Sequence, residues 1–137
     1  MTARMQLIRF ATVGVANTLF GLALIFAAKW FLELGDVAAN AIGYLFGIGL
    51  GFALNRTWTF NDNGAVGETL LRYLIVVGIG YVINLSVVVS LIGWAGFDSY
   101  LAQALGIPPY VLFVFIGSRQ FVFGATSKSI RSRMLEL

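Results

Sequence analysis

Two arginines stand at equivalent places in this chain, each after an apolar stretch and each followed by aromatic residues two and four positions later. The segments read LNRTWTF at residues 54–60 and GSRQFVF at residues 117–123. A guanidinium group stays charged when partly buried, and its planar fork suits phosphate oxygens. Arg56 and Arg119 are therefore candidates for contacting an anionic group. Alternatively, they only anchor helix ends at an apolar–aqueous boundary, together with the interfacial aromatics Trp58, Phe60, Phe121 and Phe123.

An ungapped internal repeat connects these arginines to a second pair. At an offset of 63 residues, LIRF at residues 7–10 aligns with LLRY at residues 70–73, and NRTWTF aligns with SRQFVF. Apolar matches are common in a chain of this composition, whereas two arginine pairs in register are not. We therefore predict a phosphate-binding set at both ends of both repeats, gathered around one headgroup: Arg9, Arg56, Arg72 and Arg119. Anchoring alone remains the alternative.

Uncharged polar side chains form a second candidate group. Asn17 and Asn84 lie within apolar stretches, and Asn55 and Ser118 directly precede the arginines of the aromatic segments. Buried amides in lipid must find partners, and an interhelical hydrogen bond contributes only about 0.6 kcal/mol. These residues either join helices or line a polar groove, and both interpretations stay open. Because Ser118 replaces Asn55 in the second repeat, the two halves need not contact a ligand equally.

Composition indicates that membrane-spanning helices position these residues. Of the 137 residues, 59% are hydrophobic and 11% are charged, and the mean hydropathy is +0.89; a soluble domain carries about 25% charged residues. Four uncharged runs of 19, 19, 25 and 20 residues follow Arg9, Asp36, Arg72 and Asp98. Each suffices for a helix across a hydrocarbon core about 30 Å thick. The first run is longer than the apolar part of a signal peptide, so we expect it to be a helix of the mature protein.

We therefore predict an all-α membrane protein with four transmembrane helices near residues 7–31, 37–57, 69–95 and 99–121. They form one domain over residues 1–137, in which repeat one covers about 7–60, repeat two covers about 70–123, and a basic cytoplasmic tail covers 124–137. Each repeat is a hairpin that begins and ends on the same side of the membrane. The two tandem hairpins are therefore expected to have parallel topology.

The distribution of charge predicts the orientation. Eight of the nine basic residues flank the N-terminus, the second loop and the C-terminus, whereas Lys29 lies in the first loop with Glu33 and Asp36. Positive charge near short membrane loops stays on the cytoplasmic side. We therefore expect both termini inside. The net charge of +3 is then a membrane-surface feature, and no nucleic acid is expected as a partner.

Small residues and prolines predict how two of the helices are built. Ala39, Gly43, Gly47 and Gly51 recur at every fourth position, which gives a flat stripe where another helix backbone can approach closely. Pro108 and Pro109 lie near the middle of the fourth helix, where a kink or a break is expected. The break would line a polar cavity or serve as a hinge, whereas the kink would be a static packing feature.

Missing residue types restrict the mechanism. The chain has no cysteine and no histidine, and no acidic residue lies deep in any predicted span. A proton-coupled pump usually needs an intramembrane carboxylate or histidine, and no nucleotide-binding motif is present. We therefore expect no enzyme, no catalytic residue, no metal site and no cofactor.

The ensemble of these motifs resembles the GtrA-like family of four-helix membrane proteins. The resemblance rests on RFATVGVANTLFG, on ANAIGYLFGIGLGFALNRTWTF, on the RY that opens the third helix and on SRQFVF. It implies a flippase that moves a polyprenyl-phosphate-linked sugar from the cytoplasmic to the outer leaflet, for polysaccharide or glycan synthesis outside. It also implies the inner (plasma) membrane of a bacterium or archaeon, and a homo-oligomer or a membrane glycosyltransferase as partner.

Two other functions remain as alternatives. A non-transporting scaffold would anchor or recruit a glycosyltransferase, with Gly43, Gly47 and Gly51 as its partner surface. The other alternative is a small multidrug exporter of cationic drugs, although the lack of a buried acidic residue argues against this function.

Overall fold

The computed structural model describes residues 2–124 and 132–137, apart from the side chain of Asp36. Four long α-helices dominate this part of the chain: α1 at Ala3–Phe31, α2 at Asp36–Leu54, α3 at Val66–Gly93 and α4 at Ser99–Gly117. Helix α2 continues directly into a five-residue π-helix at Asn55–Thr59, and α4 continues into another at Ser118–Val122. The described residues contain no β-strand. The predicted all-α fold is therefore confirmed. The predicted basic tail lies partly outside the described residues, including Lys128 and Arg131.

All four helices have the length and composition of membrane spans. The spans are Ala3–Phe31, Val37–Thr59, Val66–Gly93 and Ser99–Val122, with mean hydropathies of 1.9, 1.7, 2.4 and 1.6 over their most apolar windows. At 1.5 Å per residue, even 23 residues extend about 35 Å, which exceeds a hydrocarbon core of about 30 Å. Less than a third of each window is buried, so most of these apolar surfaces face outward. The protein is a multi-pass membrane protein.

The chain divides into two compact units, Met1–Asn61 and Asp62–Leu137, hereafter unit one and unit two. Each contains one helical hairpin, in which α1 packs on α2 or α3 packs on α4. In unit one, Thr2 caps α1, because its Oγ1 accepts a hydrogen bond from Met5 N at 3.3 Å. In unit two, Asp98 caps α4 by accepting hydrogen bonds from the backbone N–H groups of Tyr100 and Leu101. Such caps satisfy N–H groups that have no partner within the helix.

The small-residue stripe of α2 faces α1 within unit one. Ala39 is fully buried, and Gly43 and Gly47 are buried as well. A methyl group added to Gly43 would lie 3.1 Å from the carbonyl oxygen of Gly21 and would overlap the side chain of Ile25. The two helix backbones can therefore approach closely only because no side chain separates them. The surface that the scaffold alternative would offer to a partner is used inside the hairpin at Gly43 and Gly47.

Unit two uses the same principle at the equivalent positions of the repeat, because Gly106 and Val88 follow Gly43 and Ile25 by 63 residues. A methyl group added to Gly106 of α4 would overlap Asn84 and Val88 of α3, and one added to Gly80 of α3 would overlap Val114 of α4. Glycines on both helices therefore receive bulky side chains from the opposite helix. The interface of unit two is built from large side chains fitting onto glycines, rather than from two glycines facing each other.

Helix α4 runs through Pro108 and Pro109 without interruption. A proline lacks the N–H that would bond the carbonyl four residues earlier, so Ala104 and Leu105 lose those two hydrogen bonds. The segment nevertheless stays helical across both prolines, as transmembrane helices can when neighbouring groups compensate. Of the two alternatives, a break is therefore absent from the described helix, whereas a static kink stays a prediction.

Candidate anion-binding site

The second helix of each hairpin ends in a π turn at the arginine-aromatic segment. The carbonyl oxygen of Asn55 accepts a hydrogen bond from Phe60 N at 2.9 Å, and that of Ser118 accepts one from Phe123 N at 2.9 Å. These bonds span five residues instead of four, so the helix widens by one residue. Isolated π turns of this kind are frequent at functional sites. The sequence repeat marked the two segments, but sequence reasoning missed the π geometry, because no residue type requires it.

In unit one, Arg9 of α1 holds the end of this π turn. Its Nη1 donates a hydrogen bond to the carbonyl oxygen of Trp58 at 2.9 Å, and its Cζ lies 5.1 Å from the centroid of the Trp58 ring. The carbonyl belongs to a helix end, where backbone acceptors lack intrahelical donors. The guanidinium also gains from the negative face of the indole ring. Arg9, one residue of the predicted phosphate-binding set, is thus held by Trp58, which lies 49 positions later in the chain. We call Arg9 and Trp58 the first clamp.

Unit two repeats the arrangement at the equivalent residues. Arg72 Nη1 donates to the carbonyl oxygen of Phe121 at 3.3 Å, and Arg72 Cζ lies 5.3 Å from the centroid of the Phe121 ring. Both residues are 63 positions after their counterparts in the first clamp. We call Arg72 and Phe121 the second clamp. A guanidinium carries five N–H donors, so capping one carbonyl leaves each clamp with the chemistry to bind an anion.

A pair of aromatic rings supports each clamp from inside its hairpin. The rings of Phe10 and Phe60 have centroids 6.5 Å apart, and those of Tyr73 and Phe123 are 6.4 Å apart. Tilted aromatic pairs at this separation are favourable. Phe123 is buried and Phe60 is half-buried, whereas the other two predicted interfacial aromatics are 43% and 46% exposed. The alternate aromatics of each segment therefore divide into one ring that faces out under the guanidinium and one that packs inward.

The two clamps differ in their charged neighbours. Arg72 Nη2 forms an ion pair with Glu68 Oε1 one helical turn earlier, and these side chains are 28% and 66% exposed. The equivalent residue in repeat one is Met5, which carries no charge. Among the described residues, the polar and cation–π contacts of Arg9 all go to Trp58.

Arg56 and Arg119 are the second residues of the two π turns. Arg56 is half-buried and Arg119 is exposed. Each shares its turn with the clamp aromatic two residues later, so each hairpin presents two arginines at the same end. That the four guanidinium groups share one headgroup stays a prediction.

The predicted groove residues lie within their own hairpins. Asn55 is 3% exposed, and its Oδ1 accepts a hydrogen bond from Thr59 Oγ1 at 2.9 Å inside the first π turn. In the second π turn Val122 replaces Thr59, and the fully buried Ser118 Oγ has no hydrogen-bond partner among the described residues. Asn55 and Ser118 therefore contribute to the π turns in different ways.

The two mid-helix amides are half-buried against glycines. Asn17 lies over Gly47, where an added methyl group would sit 3.6 Å from its Oδ1, and Asn84 lies over Gly106. The Oδ1 atom of Asn17 is buried and has no hydrogen-bond partner in the described part of the chain. These contacts fit helix packing, and a groove along them remains a prediction.

Comparison with known proteins identifies the family. A search of curated proteins finds no match. A family model described as the GtrA/DPMS transmembrane domain matches residues 9–123, which begin at the arginine of the first clamp and end at the aromatic residue that closes the second π turn. Because this match covers most of the 137 residues and all four spans, the chain belongs to the GtrA/DPMS transmembrane domain family.

Proposed function

We propose that this protein flips a polyprenyl-phosphate-linked sugar from the cytoplasmic to the outer leaflet for cell-surface polysaccharide or glycan synthesis. Membership of the GtrA/DPMS transmembrane domain family supports a role in the handling of lipid-linked sugars. The observation that carries the proposal is the duplicated clamp, in which an arginine lies over an exposed aromatic ring at the end of each hairpin. A guanidinium suits a phosphate diester, and an exposed ring offers an apolar face to the adjoining prenyl chain or sugar.

The direction of transfer follows from charge. The arginines of the clamps lie on the side that the charge distribution predicts to be cytoplasmic, where they would collect the phosphate. A singly charged diester that moves outward gains about 2.3 kcal/mol per 100 mV of inside-negative potential. Transfer can therefore be driven without a nucleotide or a proton relay. We place the protein in the inner membrane with both termini in the cytoplasm.

The largely unburied apolar helix surfaces can be covered by lipid or by another membrane protein. We propose a second copy of this chain or a membrane glycosyltransferase as a partner of the protein. The scaffold function differs from the flippase function in one measurable respect: the purified scaffold would transfer no lipid between leaflets.

A leaflet-resolved assay tests the proposal. Purified protein is reconstituted into vesicles that contain a fluorescent short-chain polyprenyl-phosphoglucose, and a membrane-impermeant quencher reports the outer leaflet. We expect faster transfer than in protein-free vesicles, and we expect Arg56→Gln combined with Arg119→Gln to reduce it at least tenfold. The matched control, Arg4→Gln with Arg133→Gln, removes the same charge from positions outside the predicted phosphate-binding set and should retain transfer. Absence of transfer by the wild-type protein would favour the scaffold; equal losses in both variants would refute phosphate contact.

A further inference from the structure

The two clamps are geometrically alike but electrostatically different. Both arginines donate to a π-turn carbonyl and lie just over 5 Å from an aromatic centroid. Only in the second clamp does a carboxylate, that of Glu68, occupy another donor of the arginine fork. The described contacts of Arg9 include no carboxylate. The inequality is encoded by one position of the repeat, which is Met5 in unit one and Glu68 in unit two.

This difference matters most for a charged ligand. A phosphate that approaches Arg72 must either displace the Glu68 carboxylate or bind beside it, and like charges at such short range repel each other. Among the described residues no carboxylate contacts Arg9, so a phosphate that approaches Arg9 meets neither obstacle from them. The spacing also favours the ion pair, because a glutamate four residues before a basic residue is the better orientation on a helix.

We propose that the two clamps bind phosphate separately, in place of the single shared headgroup expected from the sequence. The first clamp is the primary phosphate site, and Glu68 makes the second clamp the weaker one. The ligand class rests on the proposed function, since a lipid phosphate is what both clamps are taken to bind. Glu68 is then a specificity-determining residue that acts on the anion through Arg72. Exchanging Met5 and Glu68 between the repeats should therefore exchange the ranking of the two sites.

Tryptophan fluorescence can measure each clamp separately. The chain has three tryptophans, Trp30, Trp58 and Trp94. The variant Trp30→Phe with Trp94→Phe leaves Trp58 as the sole reporter, directly under the guanidinium of the first clamp. Adding Trp58→Phe and Phe121→Trp to these changes moves the reporter to the second clamp. Each full-length variant is titrated in detergent micelles with farnesyl phosphate, and farnesol serves as the control for partition of the prenyl chain without the phosphate.

We expect half-saturation at a lower farnesyl phosphate concentration for the first clamp than for the second. An exposed ion pair is a weak competitor, so the gap should be about 1.5- to 5-fold. Glu68→Met should remove most of the gap by strengthening the second clamp. Met5→Glu should weaken the first clamp by a similar factor, and farnesol should distinguish none of these proteins.

Three results would overturn the inference: equal affinities at the two reporters, tighter binding at the second clamp, or a gap that Glu68→Met leaves unchanged. Circular dichroism and gel filtration of every variant establish that helix content and assembly are retained. Failure of the proposed function is a separate outcome, namely wild-type protein that transfers no lipid in vesicles. A protein that transfers lipid but binds farnesyl phosphate equally at both clamps would refute the inference alone.

Discussion

The guanidinium group of Arg9 lies with its Cζ 5.1 Å from the centroid of the Trp58 ring and donates to the carbonyl oxygen of the same residue. One side chain thus contacts both the side chain and the backbone of a residue 49 positions later. The contact closes the open end of the hairpin in unit one. The same arginine therefore holds the fold together at the place where we propose that it binds phosphate.

Removal of this arginine should loosen the hairpin. We predict that Arg9→Met lowers the free energy of unfolding by about 1 to 2 kcal/mol, because it removes a hydrogen bond from a cationic donor and a cation–π contact. Thermal unfolding in detergent, followed by tryptophan fluorescence, measures the change. Arg4→Met removes an exposed arginine of the same helix and should leave the midpoint within error. Equal shifts in both variants would show that the clamp does not stabilise the hairpin.

The helix interface of unit one predicts an intolerance to side chains at one glycine. Gly43→Val should lower the free energy of unfolding by about 1 to 3 kcal/mol, because the added atoms would meet the carbonyl oxygen of Gly21 and the side chain of Ile25. Gly49 is an apt control on the same helix, since a methyl group there would meet nothing within 4 Å. Thermal unfolding of Gly43→Val and Gly49→Val tests the difference, and a stable Gly43→Val protein would contradict the observed packing.

The unequal π turns predict opposite effects of two reciprocal changes. Thr59→Val removes the hydroxyl that donates to the buried Asn55 Oδ1, and we expect a loss of about 1 to 3 kcal/mol for that unsatisfied acceptor. Val122→Thr places a hydroxyl at the fully buried position equivalent to Thr59, four residues after Ser118, whose Oγ has no described partner. This change should leave stability unchanged or raise it. Chemical denaturation of both variants provides the comparison. A loss of stability in Val122→Thr, without a loss in Thr59→Val, would contradict the different roles that we give to Asn55 and Ser118.

The uninterrupted α4 helix predicts that its prolines are static. Replacement of Pro108 and Pro109 by alanine restores two N–H donors in a helix that is already continuous. We expect equal or higher thermal stability and unchanged lipid transfer in the vesicle assay. A variant that is more stable but transfers lipid severalfold more slowly would show that α4 bends during transfer.

Much of the fold follows from local properties of the sequence. The four spans could be predicted because charge-free length is a property of consecutive residues, and the bilayer imposes the same requirement on each of them. The predicted end of the first helix at residue 31 agrees with the structure, whereas its start lies at Ala3 instead of residue 7. Capping by Thr2 and basic side chains at the membrane surface allow the helix to extend beyond the apolar run.

The candidate site was only partly predictable. The repeat offset aligned Arg9 with Arg72. It could not show that each of these arginines contacts an aromatic residue of its own hairpin. The inward packing of Phe60 and Phe123 was also missed, because helix periodicity separates residues two positions apart but does not show which of them faces the partner helix. The sequence also did not single out Glu68, whose role depends on its ion pair with Arg72.

The sequence by itself determined the number of helices, their membrane character, the duplication and the identity of the repeated arginines, since each depends on residue type and spacing along the chain. Tertiary structure alone decided that α2 and α4 end in π turns, that Arg9 and Trp58 form a clamp, and that the two clamps carry different charge. The physical reason is that these features arise where two helices meet. Which carbonyl receives an arginine depends on the register of packed backbones, and that register is set by glycines and side chains far apart in the sequence.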